Sequence, residues 1–193
     1  MKSTYTVLYR RKRQGKTDYT VRLRLLASRQ PRIVVRKSNK HVLLQVIKYE
    51  PTGDKVMASA HTGELTKYGW HGSTSSTPAA YLAGLLLGKK AKKANISAGI
   101  ADIGLQTSVK GGVVYAALKG VRDAGITVPS SDSVVPDDKR IKGMHIATWA
   151  ASVAKDPKKY PHAFSKYKNA KGVSPEQIPQ LVEQVKRKVL EAA

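Results

Sequence analysis

Residues 32–58, RIVVRKSNKHVLLQVIKYEPTGDKVMA, decide the fold class of this chain. Two runs rich in β-branched and aliphatic residues, 33–35 and 42–47, are separated by a short polar loop, and this pattern predicts a β-hairpin. Residues 51–54, Pro-Thr-Gly-Asp, form a turn signal, and the apolar residues after them predict a third strand. The stretch therefore predicts a three-stranded antiparallel meander.

Helical patterns follow the meander. Thr77 and Pro78 suit a helix start, because the threonine oxygen can cap free N–H groups and proline lacks a donor that would stay unsatisfied there. Lysines at 89–93 suit the end of the same helix. A second helix is predicted to end at Gly125 in left-handed backbone, and residues 99–105 between the two helices predict a short buried strand.

Two further helical patterns lie in the last third of the chain. After Asp137 and Asp138, apolar residues recur about one turn apart from Ile141 to Val153. Ser174 and Gln177 resemble a capping box before a last helix. The expected fold class is α/β (α+β), with the antiparallel meander continued by βα units into a mixed sheet covered by helices. A basic N-terminal arm and a C-terminal tail helix complete it.

The length of 193 residues suits one core with appendages better than two full domains. We expect a basic N-terminal arm at residues 1–30 and an α/β core domain at residues 31–154. A basic tail and the C-terminal helix would occupy residues 155–193.

Positive charge dominates the chain and is concentrated at its start. Lys and Arg number 35 against 13 Asp and Glu, and residues 1–48 hold 14 of these cations with Asp18 as the one opposing acid. Such an excess repels itself unless a polyanion neutralises it. No apolar run is long enough to span a bilayer, and the first residues lack the apolar stretch of a secretory signal. We therefore predict a cytoplasmic protein that binds nucleic acid and no membrane.

Patterns for catalysis and metal binding are missing from the sequence. The chain has no cysteine, and its five histidines show no metal-ligand spacing. Gly15-Lys16-Thr17 lacks the earlier glycine of a phosphate-binding loop, because Arg10 stands in its place. Asp102 could be a nuclease carboxylate, but two-metal chemistry needs several converging acids, so a core or capping role is favoured. We predict no enzyme, no cofactor, no metal and no small-molecule substrate.

Three segments are candidate RNA contacts. Clustered cations from residue 10 to 24 can neutralise phosphates, and the interleaved tyrosines can stack on bases or pack against the core edge. The hairpin tip can reach a phosphate or base edge, or be a solvated turn with Asn39 in left-handed backbone. Residues 68–71, Tyr-Gly-Trp-His, can form a stacking platform or cap the core. The predicted RNA-binding residues are Tyr9, Arg10, Arg11, Lys12, Arg13, Lys16, Thr17, Tyr19, Arg22, Arg24, Arg32, Arg36, Lys37, Ser38, Asn39, Lys40, His41, Tyr68 and Trp70.

The run at 10–19, RRKRQGKTDY, followed by Arg22-Leu23-Arg24, closely resembles the opening of the archaeal and eukaryotic large-subunit ribosomal protein eighteen family, called protein five in eukaryotes. Further matches follow in the same order at residues 31–41, 68–70, 80–86, 102–105 and 123–125, so the resemblance covers about residues 5–150. It weakens beyond about Lys155.

This resemblance implies a structural role in the ribosome. The basic segment would lie in grooves of 5S rRNA and large-subunit (23S-type) rRNA, and the protein would help attach 5S rRNA in the central protuberance beside neighbouring large-subunit ribosomal proteins. It also implies a helix at residues 17–27 with Thr17 as a plausible cap, although Val21, Leu23 and Leu25 alternate like a strand. The residues themselves leave open a non-specific nucleic-acid-binding protein and an RNA-processing nuclease.

Overall fold

A computed structural model describes residues 6–154, 164 and 174–192. Within them the chain forms a four-stranded sheet in the order β3-β2-β1-β4. Its strands are β1 (Arg32–Lys37), β2 (Val42–Lys48), β3 (Lys55–His61) and β4 (Ile100–Asp102). The first three strands are the predicted antiparallel meander, and β4 pairs in parallel with β1. The mixed sheet confirms the predicted fold class, although β4 is shorter than the strand predicted at 99–105.

One face of the sheet is apolar, and the other carries arginines among apolar residues such as Val34. Ile33 and Val35 of β1 and Val42 and Leu44 of β2 are fully buried against the helices. Successive side chains of a strand point to opposite faces, so Arg32 and its alternate neighbours along β1 lie on the other, outer face. This alternation places charged residues beneath the N-terminal arm.

Two helices cover the apolar face. They are α3 (Thr77–Lys93) and α4 (Val113–Asp123). A Cβ atom on Gly84 would lie 2.1 Å from the carbonyl oxygen of Ala117, so glycine lets the two backbones touch. The predicted cap of α3 is wrong by one residue, because the side chain of Ser76 accepts the N–H of Ala79 and Thr77 is already helical. Gly125 has a φ of 91° after α4, as predicted.

The C-terminal third differs from the sequence expectation in detail. The single predicted third helix is two helices, α5 (Asp138–Ile141) and α6 (Met144–Val153). Gly143, with a φ of 78°, interrupts them, because left-handed backbone cannot continue a helix. The last helix, α7 (Ile178–Ala192), follows a 3₁₀ turn at Pro175–Gln177, and the side chain of Ser174 makes no capping hydrogen bond. Most of the predicted basic tail, residues 155–163 and 165–173, lies outside the described residues.

The N-terminal arm contains α1 (Arg10–Arg13) and α2 (Tyr19–Ala27). The helical expectation for this segment is therefore confirmed. Val21, Leu23 and Leu25 alternate like a strand in the sequence but lie in helix α2. Thr17 is not the cap. The Asp18 side chain accepts the N–H groups of Thr20 and Val21 at 2.8 and 3.2 Å. In the described part of the chain, no helix is long and apolar enough to cross a membrane.

Candidate nucleic-acid interface

The first basic cluster is presented on a compact turn. All four residues of α1 are exposed, and so is Lys16. The N–H of Lys16 donates to the carbonyl of Arg11 at 2.9 Å, and Arg11 Nε donates to the hydroxyl of Thr17 at 2.8 Å. Gly15 supplies the left-handed backbone, with a φ of 61°, that lets the chain turn back. The predicted residue Thr17 therefore orients an arginine.

Two tyrosines lie beside this turn. The rings of Tyr9 and Tyr19 are tilted against each other with centroids 5.0 Å apart. Tyr9 is 71% exposed, whereas Tyr19 is half-buried at the start of α2. An exposed ring held in place by a second ring offers a flat face on which a base can stack.

Helix α2 lies over the outer face of the sheet. Tyr19, Arg22, Leu25 and Leu26 are its half-buried residues, and they fall on one face at helical spacing. Leu23 and Arg24 on the other side are exposed, and no residue of α2 is fully buried. A cavity of about 240 Å³ remains between α2 and the sheet.

A chain of ion pairs crosses this cavity. Arg22 donates from both terminal nitrogens to the two carboxylate oxygens of Asp54, each at 2.9 Å. Arg32 donates to Asp54 at 2.6 Å and to Asp102 at 2.8 Å, so it bridges the two acids. Arg36 donates to the carboxylate of Asp102 at 2.9 Å and to its backbone carbonyl at 2.8 Å. Three arginines and two aspartates thus form one network.

This network corrects one predicted contact and explains another residue. Arg32 is 4% exposed, so its guanidinium group is used inside the protein and is not available to RNA. Asp102 is 6% exposed and also accepts the N–H of Gly104 at 2.9 Å, which confirms the core or capping role expected for it. Arg22 and Arg36 keep partly exposed side chains at the two ends of the network.

The electrostatics of the two acids follow from these partners. Burial raises the pKa of Asp102, but hydrogen bonds and charge from Arg36 and Arg32 outweigh it, and the pKa lies below the usual value. Asp54 behaves in the same way, with burial opposed by Arg22 and Arg32. The pKa of Arg22 is raised by its hydrogen bonds to Asp54. Both aspartates and Arg22 are therefore charged at neutral pH.

The tip of the β1–β2 hairpin is the second basic segment. Ser38 and His41 close it through three hydrogen bonds of 2.8 to 3.0 Å. The rings of His41 and His61 lie 4.6 Å apart, and Thr74 donates its hydroxyl hydrogen to the carbonyl of Lys40. These contacts leave residues 37–40 exposed. Asn39 is not in left-handed backbone, so that part of the solvated-turn interpretation is wrong.

The third predicted segment belongs to the core. Trp70 is 1% exposed, and its indole N–H donates to the carbonyl of Ser73 at 3.4 Å. Tyr68 is half-buried and packs against the same core. The stacking-platform prediction is therefore wrong for Trp70, because a base cannot reach a buried ring.

One loop joins the arm to the hairpin tip. Gly104 and Leu105 line the cavity beneath α2, and Leu105 also lines a groove of about 550 Å³ beside residues 37–39. Arg140 also lines that groove. Sequence reasoning missed Leu105 and Arg140 as parts of this surface. Leu105 is 57% exposed but stood at the end of the strand predicted at 99–105, and Arg140 stood in a predicted helix far along the chain from both basic segments. The two basic segments thus flank a common surface.

The described residues contain no cluster of three or more His, Asp or Glu side chains that could hold a metal ion. The carboxylate of Asp102, the one acid considered for nuclease chemistry, already accepts three hydrogen bonds from Arg32, Arg36 and Gly104. The site is built to present cations and aromatic faces, and its acids are occupied by arginines.

Comparison with known proteins agrees with this geometry. The family described as "Ribosomal large subunit proteins 60S L5, and 50S L18" matches residues 3–101. A large ribosomal subunit protein uL18 from Ignicoccus hospitalis is 49% identical over 189 residues, which cover 97% of this chain and 92% of that protein. The uL18 of Methanococcus maripaludis is 44% identical over 190 residues, 98% of each chain. The chain therefore belongs to the L5/L18 family of large ribosomal subunit proteins, and it is a structural protein of that subunit and not an enzyme.

Proposed function

We propose that this large-subunit protein binds 5S rRNA and helps attach it to the large-subunit rRNA in the central protuberance. The observation that carries the proposal is the exposed cationic arm. Between residues 6 and 30 stand eight Lys and Arg with Asp18 as the one acid, and the carboxylate of Asp18 is occupied in capping α2. Such a segment is matched to a phosphate backbone.

The arm and the hairpin tip would bind by different contacts. Cations of α1 and Lys16 would neutralise phosphates, while the exposed ring of Tyr9 would stack on an unpaired base. The hairpin tip offers Lys37, Lys40 and short polar side chains to a second strand of RNA. Trp70 and Arg32 are left out of the proposed interface because both are buried. The α/β body would fix the distance between the two contact regions.

The test is a titration of the purified protein against 5S rRNA and a length-matched, unrelated structured RNA at several salt concentrations. We expect tight binding to 5S rRNA that persists near physiological salt and weaker binding to the other RNA. Equal affinity for both RNAs, lost together as salt rises, would leave a generic polyanion binder. A length-matched DNA duplex in the same series would detect a preference for DNA.

A pair of double variants locates the contact. Arg13→Gln with Arg24→Gln removes two exposed cations of the arm, and Lys93→Gln with Arg187→Gln removes two exposed cations from α3 and α7. Both change the net charge equally. We expect the arm variant to lose about tenfold or more in 5S affinity and to reduce the salt slope by about 1.5, whereas the control stays near wild type. An equal loss in both variants would argue against the arm as the contact.

A further inference from the structure

Two carboxylates lie within the most cationic surface of the protein. Asp54 and Asp102 both line the cavity between α2 and the sheet, beside Arg11, Lys16 and Arg22. A carboxylate at a surface that binds a polyanion repels that polyanion. Bulk electrostatics, meaning the net charge of the surface taken alone, therefore predicts that each aspartate weakens RNA binding. Their contacts indicate a different role.

Helix α2 depends on Asp54 for its place on the sheet. The helix buries no residue completely, and its two half-buried leucines, Leu25 and Leu26, hold it by apolar packing less firmly than the buried side chains of α3 hold that helix. Within the described residues, the bidentate pair between Arg22 and Asp54 is its one hydrogen-bonded link to the sheet. A two-bond guanidinium–carboxylate pair fixes orientation as well as distance, because both groups are planar.

Asp54 is itself held by an arginine of strand β1. Arg32, at 4% exposure, donates to Asp54 from one terminal nitrogen and to Asp102 from the other. Asp102 in turn binds Arg36 by its carboxylate and its backbone carbonyl. The network therefore runs from α2 through β1 to the loop at Gly104, which is where the cavity meets the hairpin groove.

We propose that Asp54 and Asp102 are positioning residues for RNA binding, which fix α2 and the arm before it at a set distance from the hairpin tip. This inference rests on the proposed function, because its effect is on the RNA contact. An arm whose orientation is set in the free protein loses less conformational entropy on binding. The negative charge of the two acids thus weakens the general electrostatic attraction between the protein and any RNA. By fixing the arm, the same two acids strengthen binding to an RNA whose shape fits it.

The two interpretations predict opposite signs for one substitution. Asp54→Asn removes a negative charge from the cationic surface, so bulk electrostatics predicts tighter binding to every RNA. If Asp54 positions α2, 5S rRNA should bind less tightly while an unrelated RNA should bind as well or better. Loss of folding stability alone would reduce both affinities together, so the ratio of the two affinities is the deciding quantity.

Asp132→Asn is the matched control. Asp132 also pairs with an arginine, Arg122, at 2.9 Å, and its removal changes the net charge equally, but its side chain is 89% exposed and lies away from α2. Asp54→Glu keeps the charge and serves as the conservative rescue. Asp54 is preferred over Asp102 for the test because Asp102 is buried and its loss endangers folding.

The experiment measures 5S rRNA and unrelated-RNA affinities, and amide hydrogen exchange of the free proteins. For Asp54→Asn we expect exchange in α2 to accelerate about tenfold with exchange in α3 unchanged, and 5S affinity to fall about fivefold or more. Asp132→Asn should change neither, and Asp54→Glu should recover most of the affinity ratio.

Three results would count against these proposals. If Asp54→Asn binds 5S rRNA as tightly as Asp132→Asn does, the positioning role is overturned while the proposed function stands. Unchanged exchange in α2 would overturn the role of the ion pair in holding the helix. If wild type itself binds both RNAs equally, the proposed function fails, and the α2 exchange alone decides whether Asp54 holds the helix.

Discussion

Helices α2 and α3 lie on opposite faces of the same sheet and are held there by different forces. Thirteen of the seventeen residues of α3 are buried, and Gly84 brings its backbone against α4. None of the nine residues of α2 is buried, and a bidentate ion pair links it to Asp54. Hydrophobic burial is insensitive to salt and to moderate pH, whereas an ion pair responds to both.

This difference between the two helices assigns folding stability to α3 and leaves α2 and the arm available for RNA contact. A helix that buries most of its residues contributes to global stability but has few side chains left for a partner. A helix that keeps Leu23 and Arg24 exposed contributes little to folding and stays available. We therefore expect substitutions on the α3 side to change the free energy of unfolding, and substitutions in the arm to change RNA affinity.

The largest expected effect is at Trp70. Replacing this fully buried ring with alanine should lower the free energy of unfolding by about 3–5 kcal/mol, because the cavity is too large to collapse. Urea denaturation measures the loss. Tyr9→Ala, in the arm, should change stability by less than about 0.5 kcal/mol and should weaken 5S binding. A mild effect at Trp70 would mean that the ring is not part of the core.

Gly84→Ala tests the contact between α3 and α4. Alanine raises helix propensity by about 1 kcal/mol, but the new Cβ would lie 2.1 Å from the carbonyl oxygen of Ala117. A backbone atom cannot move aside as a side chain can, so overpacking should win and leave a net loss of about 2 kcal/mol in thermal or urea unfolding. Ala27→Gly, at an exposed position in α2, should leave global unfolding unchanged. A stabilised Gly84→Ala protein would contradict the close contact.

Removing one cap from each helix compares them directly. Asp18→Ala and Ser76→Ala each delete a side-chain acceptor at a helix N-terminus, which costs about 1 kcal/mol. In α3 this loss should appear in global unfolding. In α2 it should appear only as faster amide exchange at Thr20 and Val21, because the helix can open without the core. Equal global losses would show that α2 folds cooperatively with the core.

The smallest expected effect is the acid response of α2. The folded-state pKa values of Asp54 and Asp102 lie below their usual value of 3.8. Groups with depressed pKa stabilise the folded form above the unfolded pKa and lose that contribution as pH falls through the folded one. The NMR amide signals of α2 should therefore hold constant from pH 7 to about 4 and shift below it.

Asp54→Asn is the control for this titration and should weaken the acid response of α2. Signals of α3 should not follow the same transition. A midpoint for α2 between pH 5 and 7 would contradict the ion-pair network, because neither aspartate titrates there.

Local patterns predicted most of the fold. The runs of β-branched and aliphatic residues at 33–35 and 42–47 predicted the strands of the hairpin, and Gly125 marked the end of α4, because each signal depends on neighbours in the chain. Where either of two adjacent residues could cap a helix, the residue predicted from the sequence was the wrong one. Thr17 and Asp18 can both cap a helix, as can Ser76 and Thr77, and only the backbone geometry selects one of each pair.

The site was predicted less completely than the fold. The exposed cations of α1 and the exposed hairpin tip stand where charge density and turn signals placed them. Arg32 and Trp70 have the residue types of RNA contacts, yet both are buried. Residue type gives the chemistry that a side chain can perform, but burial decides whether a partner can reach it.

The sequence by itself determined the charge of the arm, the strand and helix patterns and the family, because these depend on composition, on short-range spacing and on collinear motifs. Only the tertiary structure decided how Arg22 meets Asp54 and how Arg32 joins Asp54 to Asp102. Arg22 and Asp54 are 32 positions apart in the chain, and Arg32 and Asp102 are 70 positions apart, so no local pattern connects them. They form because the meander brings β1, β4 and the turn before β3 to one face, where buried charges are stable only with partners.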